Sequence, residues 1–503
     1  MFENQPKGLY ALALANTGER FGYYTMLAVF ALFLRANYGL APGTAGIIYS
    51  SFLMFVYFFP LFGGMLADKF GFGKMVTTGI VIMFAGYLLL SVPLGGDRFA
   101  LIVMLAALIS IGFGTGLFKG NLQVMVGDLY NDPQYADKRD SGFSIFYMAI
   151  NIGALFAPTA AIRIMEWAQQ SLGVSENDSY HFAFAVACAS LIISIAIYYA
   201  FRSTFRHVEG GKKKEGAAAV IDDLTPEQTK ERLVALGLVF AVVAFFWMSF
   251  HQNGLSLTYF ANEFTETSAN GIKAMAFNVW NLVAVIFMVY ASFSLFQGKT
   301  LRNRVVSVIV ILFALGFLAY NYGVLDGDVE VKAPIFQQFN PFYVVALTPV
   351  SLAIFGWLAA RNKEPKAPRK IAYGMIVAAV AFCLMLYASL TLPSPNEQAA
   401  LGDAAPRVSS YWLILTYLIL TFGELLLSPM GISFVSKVAP PKYKGACMGG
   451  WFVSTAVGNQ LVMVGGILWG DLPLWTVWAV FAALCLLAAL FMFSIMKRLE
   501  KVC

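Results

Sequence analysis

Runs of about 20 or more mostly apolar residues recur from one end of this 503-residue sequence to the other, and they dominate what the chain can fold into. Fourteen segments are long enough to cross a bilayer as helices: 8–35, 43–67, 74–95, 98–124, 141–168, 179–202, 231–262, 271–297, 305–325, 335–360, 370–393, 409–437, 446–470 and 474–496. Charged residues make up 12% of the chain, against about 25% in a soluble domain. A soluble globular protein, a disordered chain and a nucleic-acid binder are thereby excluded. The segment Met1–Lys7 is short and polar, and the apolar run after it is too long for the core of a signal peptide. Cys188, Cys383, Cys447, Cys485 and Cys503 are scattered, with neither metal nor disulfide spacing, and read as small hydrophobes. No metal and no cofactor is expected.

Basic residues set the orientation of such a chain. With both termini cytoplasmic, Lys69, Lys74, Lys138, Arg139, Lys212–Lys214, Arg302, Arg304, the group from Arg361 to Lys370, Lys437, Lys442, Lys444, Lys497, Arg498 and Lys501 all fall inside. Arg35, Arg98, Arg163, Lys273, Lys332 and Arg407 fall outside or at the outer interface. The longest polar interruption, 204–230, comes after six spans and reads as a solvated cytoplasmic linker. Two six-helix halves joined in this way describe a major facilitator transporter. The stretch Gly63-Gly64-Met65-Leu66-Ala67-Asp68-Lys69 after the second span resembles that superfamily's G-x-x-x-D loop.

Ionisable groups inside spans are costly and mark pathways, relays or ion pairs. Here they are Glu19, Arg20, Lys119, His251 and Glu424. A buried ion pair can also simply fix helix register. The competing reading weighs less here, because the charges come from both halves of the chain, as a central site requires. His251 taken alone could be an ordinary hydrogen-bonding histidine, and its charge changes between about pH 5 and 8.

The first span carries Glu19-Arg20-Phe21-Gly22-Tyr23-Tyr24. A second stretch runs Arg139-Asp140-Ser141-Gly142-Phe143-Ser144-Ile145-Phe146-Tyr147 and on through Asn151. With Gly116-Leu117-Phe118-Lys119-Gly120-Asn121, Gly423-Glu424-Leu425 through Ser428-Pro429, and Trp451-Phe452, these resemble the motifs of the proton-coupled oligopeptide transporter family. The resemblance implies an all-α major facilitator fold that imports di- and tripeptides by proton symport. It implies Lys119 near the peptide carboxylate and Glu424 near the amino terminus. Tyr23, Tyr24 and Tyr57 would line the first bundle, Asn151 and Asn340 would bond the peptide backbone, Trp247 and Trp451 would shape side-chain pockets, and Ser428 would join them. Glu19, Arg20, His251 and Glu424 are the implied proton-coupling set, with Glu19 leading. The location implied is a bacterial inner membrane, the partners are peptides, protons and lipid, and the functional unit is a monomer.

The sequence departs from the family pattern in places. Asn16 stands where the motif has its first glutamate, Leu27 where a first-helix arginine is frequent, and His251 where the seventh helix usually has an acid. With that charged pair absent, the outer gate is expected to close by apolar packing and neutral hydrogen bonds. The extra helix pair, frequent in the linker of bacterial members, lies at 271–325 instead. The expected organisation is a six-helix bundle over 1–203, a linker over 204–230, and the first C-terminal helix over 231–270. The inserted hairpin follows over 271–325, with five further helices over 326–503. Another proton-coupled porter, for nitrate, an amino-acid-like compound or a drug, is the alternative, but a pocket charged at both ends suits a zwitterion better. An intramembrane enzyme is disfavoured, since no catalytic motif accompanies His251 and Glu424.

Overall fold

A computed structural model describes residues 4–210, 224–298 and 300–502; the lysines 212–214 expected in the linker lie outside the described residues. Helices occupy all fourteen apolar segments. Among the described residues, 12 helices are long and apolar enough to cross a membrane. The first segment carries Glu19 and Arg20 at its middle, and the thirteenth is broken at Val462.

The chain forms two compact units, Met1–Leu255 with Ile432–Leu468 and Ile495–Cys503, and Ser256–Gly431 with Trp469–Ser494. The first begins with α1 (Lys7–Tyr38), α2 (Pro42–Phe70), α3 (Phe72–Ser91) and α4 (Arg98–Asp128). It continues with α5 (Arg139–Leu172), α6 (Glu176–Ala200) and α7 (Pro226–Phe250). Apolar side chains in lipid gain little by meeting one another, so close backbone approach and buried hydrogen bonds hold these helices together. A Cβ on Gly63 would lie 2.2 Å from the Gly116 carbonyl oxygen, so α2 and α4 touch only because both residues are glycine. Polar clasps fix the ends. Tyr130 donates to Gln5 Oε1 at 2.6 Å and Gln5 donates to Ser141 Oγ at 2.7 Å, anchoring the N-terminal segment to the start of α5. After α6, the Glu209 carboxylate accepts from Tyr198 and Arg202 at 2.8 Å, while its carbonyl accepts from the Gly73 amide at the start of α3.

The second unit holds α8 (Ser256–Glu263), α9 (Gly271–Ala276), α10 (Val279–Gln297), α11 (Leu301–Gly323), α12 (Phe339–Ala359), α13 (Ala367–Ala388), α14 (Pro395–Leu401) and most of α15 (Tyr411–Val438). The chain then returns to the first unit for α16 (Lys444–Leu461) and α17 (Met463–Ile467), adds α18 (Leu474–Ser494) to the second, and ends on α19 (Met496–Lys501) in the first. The pair α10–α11 is an antiparallel hairpin pinned by Asn321 donating to Asn281 Oδ1 at 2.6 Å. It leans on α12, where Tyr290 donates to the Val345 carbonyl. Leu312 and Phe313 on α11 point outward, 63% and 77% exposed, as suits a helix facing lipid.

The loops of the second unit are tied together around Glu266. Its carboxylate accepts from Lys273 Nζ at 2.5 Å and from both the amide and the hydroxyl of Ser410 at 2.8 Å. Alongside it the chain pairs Thr265 with Val408, and Arg407 donates to the Thr265 carbonyl at 2.7 Å. Strands β1 (Ser268–Ala269) and β2 (Val329–Glu330) pair antiparallel next to these contacts. Partial burial pushes the Glu266 carboxyl up, but the Lys273 hydrogen bond and charge and the Ser410 donors outweigh it and hold the group below its ordinary value. A lowered folded value means the clasp contributes stability above the ordinary carboxylate range and loses it as pH falls through the lowered one. Glu266→Gln should therefore speed amide hydrogen exchange over 264–273 and 407–410 at neutral pH. Wild-type protein should approach the same rates only in acid, and equal rates at neutral pH would rule out the clasp.

Candidate functional site

In the first unit, α1 places Glu19 and Arg20 almost fully inside the protein, 1% and 2% exposed. Neighbours on a helix point about 100° apart and do not ordinarily meet. Here the guanidinium folds back to meet the carboxylate with two hydrogen bonds, Nε to Oε2 and Nη2 to Oε1, both 2.5 Å. The Tyr23 ring supports it, 4.5 Å from Cζ to the ring centroid. Two planar groups matched in this way satisfy each other's donors and acceptors, the condition for keeping charges away from water. One turn earlier, Asn16 is buried with its amide nitrogen unpartnered among the described residues.

Lys119 on α4 meets an aromatic face. Its Nζ lies 4.0 Å from the centroid of the Tyr57 ring, and no carboxylate of its own unit stands within ion-pair distance among the described residues. A cation–π contact is worth about 2 kcal/mol when desolvated, well short of an ionic partner in the same surroundings. Tyr23 packs edge-on to Tyr24 at 5.1 Å. Asn151 donates to the Tyr147 carbonyl of its own helix at 3.0 Å. Trp451 lies buried with its ring edge-on to Phe240.

His251 stands where α7 gives out. The helix stops at Phe250, His251–Gly254 form a single 3-10 turn, and α8 resumes at Ser256. The glycine is required there, since a Cβ on Gly254 would fall 1.8 Å from the Tyr49 hydroxyl. The imidazole stacks on Trp247 at 5.2 Å, and its Nδ1 lies 2.6 Å from Asn459 Oδ1 on α16. The break between α16 and α17 is at Val462, and Gln252 Nε2 reaches its carbonyl at 3.0 Å. Two interrupted helices thus meet at their interruptions. The structure gives His251 a neutral amide as its hydrogen-bond partner, while Leu27 is part of the apolar interior of α1.

In the second unit, Glu424 on α15 is 8% exposed. Its Oε2 accepts from Asn340 Nδ2 at 2.9 Å, and the same nitrogen lies 3.1 Å from Thr421 Oγ1. Asn340 occupies the start of α12, placed by the 3-10 turn Ala333–Gln338, whose Gln338 donates to the Ala276 and Phe277 carbonyls. Ser428 follows one turn after Glu424, half-buried. Neutral groups are all that hold this carboxylate within its unit, among the described residues.

Asn459, Gln252 and Thr421 escaped the sequence reading, in which amides and hydroxyls enter only where the family resemblance implies them, as at Asn151, Asn340 and Ser428. The signal available for Asn459 was an Asn-Gln pair inside an otherwise apolar segment.

A model of the POT family matches residues 73–225 and 306–465. Dipeptide and tripeptide permease A of Chromobacterium violaceum is 28% identical over 474 residues, covering 91% of this chain and 84% of the relative. Peptide transporter YePEPT of Yersinia enterocolitica is 27% identical over 494 residues, covering 92% and 88%. Among solved structures, a peptide transporter POT in complex with sulfate superposes with a TM-score of 0.73 at 23% identity, covering 100% of this chain and 96% of that one. A POT family transporter in complex with 5-aminolevulinic acid gives 0.74 at 20%, covering 99% and 98%.

Removing one member of the α1 ion pair strands the other. Arg20→Leu should lower unfolding stability by about 3–5 kcal/mol, read from thermal unfolding in detergent. The double change Glu19→Gln with Arg20→Gln should cost clearly less than Arg20→Leu, and equal losses would contradict the pairing.

Proposed function

The chain belongs to the POT family, and we propose that it imports di- and tripeptides by proton symport, using alternating access. One observation carries the reading. Among the described residues of its own unit, Lys119 is a cation in contact with an aromatic face and in no ion pair, and Glu424 is a buried anion whose hydrogen-bond partner is a neutral amide. A zwitterionic peptide supplies the missing counter-charge to both. Lys119 takes the peptide carboxylate, and Glu424, oriented by Asn340, takes the amino terminus. Asn151 and Asn340 serve the backbone, and Ser428 adds a hydroxyl. Tyr23, Tyr24, Tyr57, Trp247 and Trp451 provide broad apolar walls that tolerate many side chains.

Glu19 carries the proton. Arg20 holds its carboxylate through both oxygens, so a proton can be taken up only when the guanidinium is drawn off, and that condition ties protonation to a change in the site. Asn16 cannot share the task. Glu424 and His251 are further stations. The architecture we propose is two six-helix bundles with α10–α11 inserted between the first and second helices of the C-terminal one, fourteen spans in all. Both termini are cytoplasmic, the membrane is a bacterial inner membrane, and the monomer is the working unit.

Proteoliposomes should accumulate a labelled dipeptide when an inward proton gradient is imposed, with competition from tripeptides and none from free amino acids or nitrate. Lys119→Ala should abolish driven uptake. Glu19→Gln should abolish accumulation and leave peptide counterflow intact; accumulation by that variant would move the coupling elsewhere.

A further inference from the structure

The interrupted helices carry a hydrogen-bond chain with a definite direction. Asn459 is fully buried on α16, with its Nδ2 3.3 Å from the Leu53 carbonyl of α2 and its Oδ1 2.6 Å from His251 Nδ1. A backbone carbonyl only accepts, so the amide nitrogen must face Leu53; the reverse orientation would set two oxygens against each other. The amide oxygen, also an acceptor only, then faces the imidazole. Nδ1 must supply the hydrogen.

We propose that Asn459 is the positioning residue of the site histidine, locking His251 as the Nδ1–H tautomer and leaving Nε2 as a bare acceptor on the ring edge away from α16. No hydrogen-bond partner of Nε2 exists among the described residues, and the ring is only half-buried. Stacking on Trp247 fixes the ring plane, so two degrees of freedom are set by neighbours. The Tyr57 ring that carries Lys119 lies 6.4 Å from the imidazole. Nε2 is therefore the point at which His251 takes a substrate N–H or a proton. Among the described residues, the groups with charge or titration around it are Lys119 from α4 and Tyr57 from α2, with the Tyr49 hydroxyl of α2 next to Gly254. The Glu19–Arg20 pair of α1 is closed on itself, and α16 offers the neutral Asn459. A neutral amide in this place orients the ring without adding a charge to those of Lys119, Glu19 and Arg20.

The tautomer stands independently of the peptide-symport reading; only its effect on uptake rests on that reading. The full-length protein, labelled with nitrogen-15 at its three histidines, reports the tautomer directly at neutral pH. His251→Gln assigns the resonances. His181, whose Nδ1 lies 2.6 Å from the Leu90 carbonyl, supplies an internal Nδ1–H reference. The expected spectrum has protonated Nδ1 and bare Nε2 at His251, and Asn459→Leu should shift only that residue toward the Nε2–H form. In peptide uptake, Asn459→Leu should lower efficiency on the order of tenfold, the scale of one misplaced hydrogen bond. Adding it to His251→Gln should cost nothing more, because a positioning residue acts through the group it positions. A bare Nδ1, two protonated nitrogens at neutral pH, a tautomer unmoved by Asn459→Leu, or additive losses in the double variant would each overturn the proposal. Correct tautomers in a protein that fails to carry peptides would instead sink the symport reading alone.

Discussion

Within the spans there is no bulk water to satisfy a polar group, so each one must find a partner in the protein or serve a ligand. Nearly every polar feature of this chain follows from that condition. Glu19 and Arg20 answer it inside a single helix, by folding the guanidinium back onto the preceding side chain. Asn340 and Glu424 answer it between α12 and α15. Lys119 answers it only in part, through the Tyr57 ring. The ion pair closed within one helix is the one proposed for the proton, and the cation left on an aromatic ring is the one proposed for the substrate carboxylate.

The same condition accounts for the helix breaks. At Val462 the backbone tightens to bonds three residues apart, Val462 to the Asn459 carbonyl and Gly465 to the Val462 carbonyl. The breaks at His251 and Val462 face each other, and Gln252 adds a second donor to the Val462 carbonyl across the gap. Close packing around them depends on small residues: a Cβ on Gly458 would meet the Ala244 carbonyl at 2.4 Å, and Gly46 abuts Gly466. Broken helices give a transporter backbone and side-chain groups at one level with room to re-pair, which a continuous helix cannot offer. The Glu266 clasp supplies the contrasting element, a set of loops held in one arrangement by charge.

Much of the organisation was legible in the residues themselves. Apolar run length identified the helices, because crossing hydrocarbon needs a fixed number of residues and a helix satisfies its own backbone. Glu19, Arg20 and Glu424 stood out as ionisable residues in those runs and are buried, whereas Lys370, buried at the start of α13 against Glu364, did not stand out; the motifs around Glu19, Lys119 and Glu424 pointed to the POT family that the matched residues show. The breaks were harder to see. His251-Gln252-Asn253-Gly254 looked like part of one long span, since a single 3-10 turn barely changes local hydropathy.

What the sequence determined by itself was therefore the number and length of the apolar segments, the ionisable residues that the family motifs carry within them, and the family. Each depends on composition within a short window or on residues at fixed spacing. Tertiary structure alone decided which partner each polar group received: Asn459 for His251, Asn340 for Glu424, and Tyr57 for Lys119. These partners lie from 62 to 208 positions apart in the chain, and no local pattern encodes a hydrogen bond across that separation. It is made by the packing of whole helices, where a missing Cβ at Gly458 or Gly63 sets how near two backbones come and so which side chains can meet.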